Sequence, residues 1–164
     1  MNSDQIQAIL EHFVAVPMRF LGVFPQDQFP ELKQNTCFVI NNKPSSHSGE
    51  QWLAFFIKSN VVEFFDSYAN PPASYGFNVN AICVMRSPIQ AYDSDTCGDH
   101  CIFYLVYRSR GWERDRIRSI YSESLGRNDL LIRSNTIKLA RKLVSLSPCI
   151  PCNICQGCCV RCRQ

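Results

Sequence analysis

Cys97 stands where the sequence predicts the beginning of a helix. It follows a polar loop over residues 87–96 and precedes an apolar run, which predicts a buried helix. Thr96 and Asp99 have the spacing of a capping box. The unpaired N–H groups and the dipole of a helix N-terminus favour a thiolate, and Gly98 would let the backbone of a ligand approach closely. The pattern therefore indicates a nucleophilic cysteine.

A second interpretation of this cysteine stays open at this point. Most cysteines are small core hydrophobes, as we expect for Cys83 and Cys101. Asp95 and Asp99 flank Cys97, and negative charges oppose the formation of a thiolate. Residue types alone do not decide between a core cysteine and a nucleophile.

A β-hairpin is expected to bring two polar side chains together. Residues 51–57 and 61–65 are apolar runs typical of strands, and a short turn at 58–60 joins them. A turn centred near Lys58 and Ser59 places Gln51 opposite Asp66. A shift of two residues in the register leaves them as diagonal neighbours. We therefore expect Gln51 and Asp66 to meet at the open end of the hairpin.

Further elements are predicted from periodicity and from breaker residues. They are a helix over 3–16, begun by Ser3 and closed by Pro17, a loop with apolar anchors over 18–30, strands over 37–40 and 81–85, and helices over 112–125 and 137–146. Gly126 is expected to end the first of the two C-terminal helices.

The composition predicts one domain with an appendage. The chain has 164 residues, 46% of them hydrophobic, and we assign residues 1–146 to the domain and 147–164 to a cysteine-rich tail. The sequence contains no apolar run of about 18 residues, and its N-terminus does not resemble a secretory signal. We therefore expect an intracellular protein that is not secreted, has no membrane partner and keeps its cysteines reduced.

Charge is distributed unevenly along the chain. Residues 1–107 contain 5 Lys and Arg against 10 Asp and Glu, whereas residues 108–164 contain 12 against 4. A basic C-terminal third is typical of a surface that binds nucleic acid or another polyanion. It is equally typical of a solvated helical surface.

Six of the ten cysteines lie in the last sixteen residues, mostly with C-x2-C spacing. They are Cys149, Cys152, Cys155, Cys158, Cys159 and Cys162. Paired C-x2-C steps suit tetrahedral zinc coordination, although the usual zinc module separates its pairs by about 12–20 residues. An iron–sulfur cluster and a tail that binds no metal are the alternatives.

Several short segments between residues 13 and 107 follow one another as in a known family. They are Phe20-Leu-Gly22 with Gln28-Phe-Pro30, Cys37-Phe-Val-Ile-Asn41, Gly49-Glu-Gln-Trp-Leu-Ala-Phe55, Glu63-Phe-Phe-Asp66, and Gln90 with Cys97-Gly98. In this order and spacing, the chain resembles the adenovirus-type cysteine proteases (adenain) and their relatives in large self-synthesising transposons and related viruses. The region from Trp112 onward carries little of the resemblance.

The resemblance implies an α+β fold and a set of site residues. A central β-sheet would pack against a buried helix that carries Cys97 at its N-terminus, followed by C-terminal helices and the tail. Cys97 would be the nucleophile, Asp66 the acidic orienting residue and Gln90 the donor to the oxyanion. Each role suits the chemistry of its side chain.

Gln51 is the serious departure from the family pattern. It occupies the position of the catalytic histidine, and an amide cannot accept a proton at neutral pH. His47 and His100 are the two histidines that could substitute, and we expect neither to do so. An inactivating substitution, natural or engineered, and a homologue retained for binding are the remaining explanations.

The main interpretation is a cysteine endopeptidase homologue for precursor processing in a virus or mobile element. Acyl transfer would proceed through Cys97, with little or no activity because of Gln51, in the virion, cytoplasm or nucleus. The chemistry requires no cofactor, but the resemblance implies a peptide or DNA activator besides the polypeptide substrate. The alternatives are an inactive homologue that binds peptide, nucleic acid or metal, and a metal-handling protein defined by its tail.

Overall fold

The structure is a computed structural model that describes residues 1–146. The helices are α1 (Ser3–Phe13), α2 (Cys97–Ser109), α3 (Arg114–Arg118) and α4 (Leu125–Leu146). The strands are β1 (Arg19–Phe24), β2 (Thr36–Asn41), β3 (Trp52–Lys58), β4 (Val61–Phe65) and β5 (Ile82–Cys83). None of the described helices has the length and apolar character that a membrane span requires. The predicted tail over 147–164 lies outside the described residues.

One mixed sheet holds all five strands in the order β1-β2-β3-β4-β5. The central pairs β2–β3 and β3–β4 are antiparallel, whereas both edge strands pair in parallel with their neighbours. Because the helices pack beside this sheet rather than alternating with parallel strands, the α+β prediction is confirmed.

The β3–β4 hairpin turns through two residues with left-handed backbone conformation. Ser59 and Asn60 have φ angles of 52° and 60°, as in a type I′ turn. Lys58 pairs with Val61, which shifts the register by two residues from a turn centred at positions 58 and 59. Gln51 is therefore a diagonal rather than a direct neighbour of position 66.

The sheet is buried on both faces, but by different kinds of structure. On one face, Val39 and Phe56 belong to a core that includes residues of α1, α2 and α4. On the other, Phe38 and Phe55 pack against loop residues, and the ring of Phe29 lies 5.5 Å from that of Phe38. Since successive side chains of a strand point to opposite faces, burial of both faces explains why β2 and β3 are almost continuously apolar.

The prediction of a loop over residues 18–30 is wrong, because this segment contains β1. β1 is an edge strand, and its register with β2 shifts between Phe20 and Val23. Gly22 lies within this irregularity with a φ of 138°. A bulge interrupts the alternation by which strands are recognised in a sequence, so the strand gave no clear signal.

The helices predicted over 112–125 and 137–146 are also placed wrongly. The first is reduced to the five-residue α3, and the second begins much earlier, as the 22-residue α4. Gly126 lies in the first turn of α4 and not at the end of a helix. The side chain of Asn128 accepts a hydrogen bond from the backbone N–H of Ser122 at 2.9 Å, and this contact fixes the turn that precedes α4.

Helix α2 begins at Cys97, but the predicted capping box is not formed. Thr96 occupies the N-cap position without a side-chain bond to the helix backbone, and its hydroxyl donates instead to Asp129 at 2.7 Å. A capping box is present at α1, where Asn2, and not the predicted Ser3, is the N-cap residue.

Candidate active site

A cleft of about 390 Å³ contains two of the predicted site residues, Cys97 and Gln51. The sheet brings the start of β3 and the loop after β4 to the N-terminus of α2. The lining also includes Glu50, Trp52, Tyr68, Tyr75, Ser94 and Asp95. Burial raises the pKa of Tyr68, and the nearby Cys97, Asp129 and Asp66 raise it further.

Asp66 lies directly after β4 and accepts five hydrogen bonds. The donors are Gln51 Nε2 at 3.1 Å, the backbone N–H groups of Tyr68 at 3.0 Å and Asn70 at 2.9 Å, Asn70 Nδ2 at 3.1 Å and the Tyr75 hydroxyl at 2.8 Å. The residue is only 2% exposed. The contact between Gln51 and Asp66 expected from the hairpin is therefore present in the structure.

The orientation of the Gln51 amide follows from its partners. Its Nε2 donates to the Asp66 carboxylate and to the Ser67 hydroxyl, both at 3.1 Å. A carboxylate offers only acceptors, so the amide nitrogen must face Asp66. No hydrogen bond within residues 1–146 uses the Oε1 atom of Gln51. Gln51 thus lines the cleft with one free acceptor and no basic atom.

Ser67 connects the Gln51 side chain to Gln90. Its hydroxyl donates to Gln90 Oε1 at 2.6 Å, and Gln90 Nε2 donates to the Ser94 carbonyl at 2.9 Å. Gln90 is 1% exposed, so it lies behind the surface of the cleft. Its amide carries a second hydrogen that makes no hydrogen bond within the described residues.

Cys97 is a buried thiol, 8% exposed, at the first position of α2. Burial raises the pKa of this thiol, and hydrogen bonds from the backbone N–H groups of Trp52 and Gly98 offset only part of the effect. The negative charge of Asp99 raises the pKa further. This direction is opposite to the one that a helix N-terminus favours, and burial is its largest cause.

None of the three histidines forms a hydrogen bond with Cys97 in the described part of the chain. His100 is fully buried, and its Nε2 lies 3.0 Å from Asp129 Oδ1. His47 is exposed, and its ring Nδ1 lies 2.9 Å from the hydroxyl of Ser46. Within the described residues, Cys97 therefore has no imidazole partner.

Gly98 does not leave space for a ligand, contrary to the expectation from sequence. A Cβ atom at this position would lie 3.1 Å from Cδ1 of Ile6 and 3.2 Å from Cδ1 of Trp52. The glycine therefore permits α2 to pack closely against α1 and β3.

The predicted metal ligands cannot be placed. Cys149, Cys152, Cys155, Cys158, Cys159 and Cys162 all lie outside the described residues, and zinc binding by them stays a prediction. Within residues 1–146, no group of three or more His, Cys, Asp or Glu side chains is arranged to hold a metal ion.

Sequence reasoning missed three contributors to this site. Ser67 directly follows Asp66 at the end of a buried strand, and that position could have indicated it. Tyr75 reaches Asp66 from a short 3-10 turn. Asp129 comes from α4, and nothing in its sequence environment marks it as a partner of the α2 N-terminus.

No family model and no curated protein matches the chain. The geometry of the cleft and the short motifs of the sequence are therefore the basis on which a function is assigned.

Proposed function

We propose that the chain is a homologue of the adenain-type cysteine endopeptidases, related to precursor processing in a virus or mobile element, that retains a polypeptide-binding cleft and lacks the catalytic base. The observation that carries this proposal is the position of Gln51. Its amide is held by Asp66 and Ser67 in the cleft that Cys97 lines. This is the place that a histidine would take in a Cys-His-Asp arrangement.

The chemistry of the missing step follows from these contacts. In a cysteine peptidase the thiol attacks a carbonyl carbon, the imidazole takes the thiol proton and later gives it to the leaving amine, and the carboxylate orients the imidazole. Asp66 accepts an N–H hydrogen bond from Gln51 as it would from an imidazole. The Gln51 amide oxygen can accept a hydrogen bond but not a proton at neutral pH, so Cys97 stays a thiol.

Aromatic side chains support polypeptide as the class of ligand. Trp52, Tyr68 and Tyr75 line the cleft, and the Tyr68 ring stacks on the exposed Tyr92 ring at a centroid distance of 5.5 Å. Such rings offer apolar contact area together with a polar group at one edge. A cleft of this composition suits an extended peptide better than a small charged metabolite.

Replacement of Gln51 by histidine tests the proposal directly. We expect Gln51→His to increase cleavage of a peptide library by about 10³-fold or more, because removing one member of such a unit has an effect of that size. Library cleavage should be measured by mass spectrometry, with and without duplex DNA. The matched controls are Gln51→His combined with Cys97→Ala, and Gln51→His combined with Asp66→Asn, both of which should lose the gain.

The outcome that contradicts the proposal is a folded Gln51→His variant that cleaves no peptide under either condition. The pH dependence of Cys97 alkylation by iodoacetamide provides a measurement without substrate. In the unmodified protein the midpoint should lie above about 8.5, since burial raises the pKa of this thiol. In Gln51→His it should move below that value.

We propose polyanion binding as a second role, because three arginines, Arg86, Arg114 and Arg118, lie close enough to one another to interact electrostatically. The pKa of Arg118 is lowered by burial and then by the positive charges of Arg86 and Arg114. Arg86 is exposed and takes part in no ion pair within the described residues. Neighbouring like charges of this kind favour an anionic ligand such as a nucleic acid backbone.

The salt dependence of DNA binding tests this second role. Arg86→Gln combined with Arg114→Gln should reduce the slope of log affinity against log salt by about 2, since each phosphate contact contributes about 0.9. Arg19→Gln combined with Lys33→Gln is the matched control, because it removes two exposed charges at the opposite edge of the sheet. Equal slopes for the two double variants would show that Arg86 and Arg114 do not contact the phosphates of DNA.

A further inference from the structure

Two adjacent residues of α4 hold the segment that carries Gln90 and Cys97. The side chain of Asn128 donates to the carbonyl of Ile89, the residue before Gln90, at 3.0 Å. The side chain of Asp129 contacts this segment near its start, at Ala91, and again at Thr96 and His100. The segment over 89–100 is therefore tied to a helix that follows it by about thirty residues in sequence.

Asp129 makes three hydrogen bonds to this segment. Its Oδ2 accepts from the backbone N–H of Ala91, directly after Gln90, at 3.1 Å. Its Oδ1 accepts from the hydroxyl of Thr96, directly before Cys97, at 2.7 Å and lies 3.0 Å from Nε2 of His100. Burial alone would raise the pKa of Asp129, but the hydrogen bonds from His100, Thr96 and Ala91 outweigh it and lower the pKa.

The N-cap side chain of α2 forms no bond to the helix backbone, and its hydroxyl contacts Ser94 and Asp129 instead. A threonine at the N-cap normally accepts a hydrogen bond from an N–H group of the first helical turn. Here the hydroxyl of Thr96 donates to Asp129, and no side-chain cap bond is formed. The backbone N–H groups beside Cys97 are thus not occupied by the N-cap side chain, which is the condition for an oxyanion site at a helix N-terminus.

We propose that Asp129, supported by Asn128, is the positioning residue of this site. It fixes the Gln90 side of the segment and the Cys97 side at the same carboxylate. The catalytic meaning of this inference rests on the proposed function, but its test does not. α4 lies in the C-terminal region that carries little of the adenain resemblance, so this role is not implied by the motifs.

The test measures the alkylation rates of individual cysteines in the full chain at pH 8. Thr96→Val removes the hydroxyl that donates to Asp129, Thr96→Ser keeps it, and Asp129→Asn weakens all three contacts. Iodoacetamide modification is followed by mass spectrometry with fragmentation that separates Cys97 from Cys101. Cys101 is fully buried one helical turn further along α2 and reports general opening of the fold.

We expect Thr96→Val and Asp129→Asn to accelerate alkylation of Cys97 about tenfold, the ratio that corresponds to the loss of a hydrogen bond to a charged acceptor. Thr96→Ser should behave as the unmodified protein, and alkylation of Cys101 should stay unchanged. Parallel acceleration of both cysteines would mean that Asp129 only stabilises the fold, and this overturns the proposal. So does an unchanged rate at Cys97 in the folded Thr96→Val variant. Neither result depends on whether Gln51→His cleaves peptides.

Discussion

At position 51, the proposed function depends on the difference between an amide and an imidazole. An amide and an imidazole both present an N–H group that can donate to Asp66. The second functional atom differs, because the imidazole nitrogen accepts a proton near neutral pH and the amide oxygen does not. Gln51 donates to Asp66 at 3.1 Å, as the histidine would in the proposed peptidase homologue, and its amide supplies no acid–base chemistry.

A buried histidine makes the stability of the protein depend on pH. Burial lowers the pKa of His100, and its contact with Asp129 offsets only part of this effect. The unfolded chain, with an ordinary histidine pKa of about 6.5, then binds more protons than the folded chain below that pH. The free energy of unfolding should therefore fall as the pH decreases through about 6.5.

Urea denaturation at pH 5.5, 6.5 and 7.5 measures this dependence. For one proton the slope is at most about 1.4 kcal/mol per pH unit. His100→Gln, which can still donate to Asp129, should flatten the dependence, whereas His47→Gln, at an exposed position, should leave it unchanged. An identical slope in His100→Gln and in the unmodified protein would show that another group is responsible.

At this scale, the sequence predicts contacts that depend on strand register but not contacts that depend on tertiary packing. The meeting of Gln51 and Asp66 follows from a hairpin with a short turn, within a shift of two residues. The partnership of Asp129 with Thr96 and His100 depends on how α4 crosses α2, which periodicity does not encode.

At the scale of elements, α2 shows that a helix N-terminus does not by itself activate a cysteine. The dipole effect is worth about 1 kcal/mol or less at most termini, whereas desolvation of a buried thiol is larger. Cys97 is 8% exposed and precedes Gly98, where α2 packs closely against Ile6 of α1 and Trp52 of β3.

Two glycines in helices are expected to respond in opposite ways to the same substitution. Gly98→Ala should destabilise the protein by about 1–3 kcal/mol, because the new Cβ would press on Ile6 and Trp52. Gly126→Ala should stabilise it by up to about 1 kcal/mol, because this position in α4 faces open space and alanine favours a helix. Urea denaturation of both variants measures the two effects, and a neutral Gly98→Ala would contradict the packing described for α2.

The burial of an element decides whether it can be predicted from the sequence. The strands β2, β3 and β4 are buried on both faces, so their apolar runs mark them in the sequence. β1 is an edge strand with a bulge, and α4 keeps Leu130 and Ile137 exposed at 74% and 45%. A pattern with apolar residues on two sides of a helix does not show where that helix begins, and this is why the C-terminal helices were misplaced.

At the scale of the whole molecule, basic residues of the C-terminal region form ion pairs with acidic residues from earlier in the chain, which partly explains the uneven charge. Arg108 of the basic C-terminal region forms two hydrogen bonds of 2.9 Å with the buried Glu63. Arg133 pairs with Asp95 and lies 3.7 Å from Asp99. These two arginines serve the fold, and Arg114 also lies 3.5 Å from Glu63. Arg86 is therefore the arginine of the proposed polyanion site that takes part in no ion pair within the described residues.

The cleft is lined both by the loops that cover one face of the sheet and by the helices that cover the other, so hydrogen exchange can detect a bound ligand. Tyr75 belongs to the loops that cover one face, and Cys97 belongs to the helices that cover the other. A bound peptide that touches both would join these two parts of the protein and should suppress local opening in each of them. Amide hydrogen exchange should then slow at the same time in residues 70–81 and 97–109, so the protein itself reports occupancy without a label, a substrate or turnover.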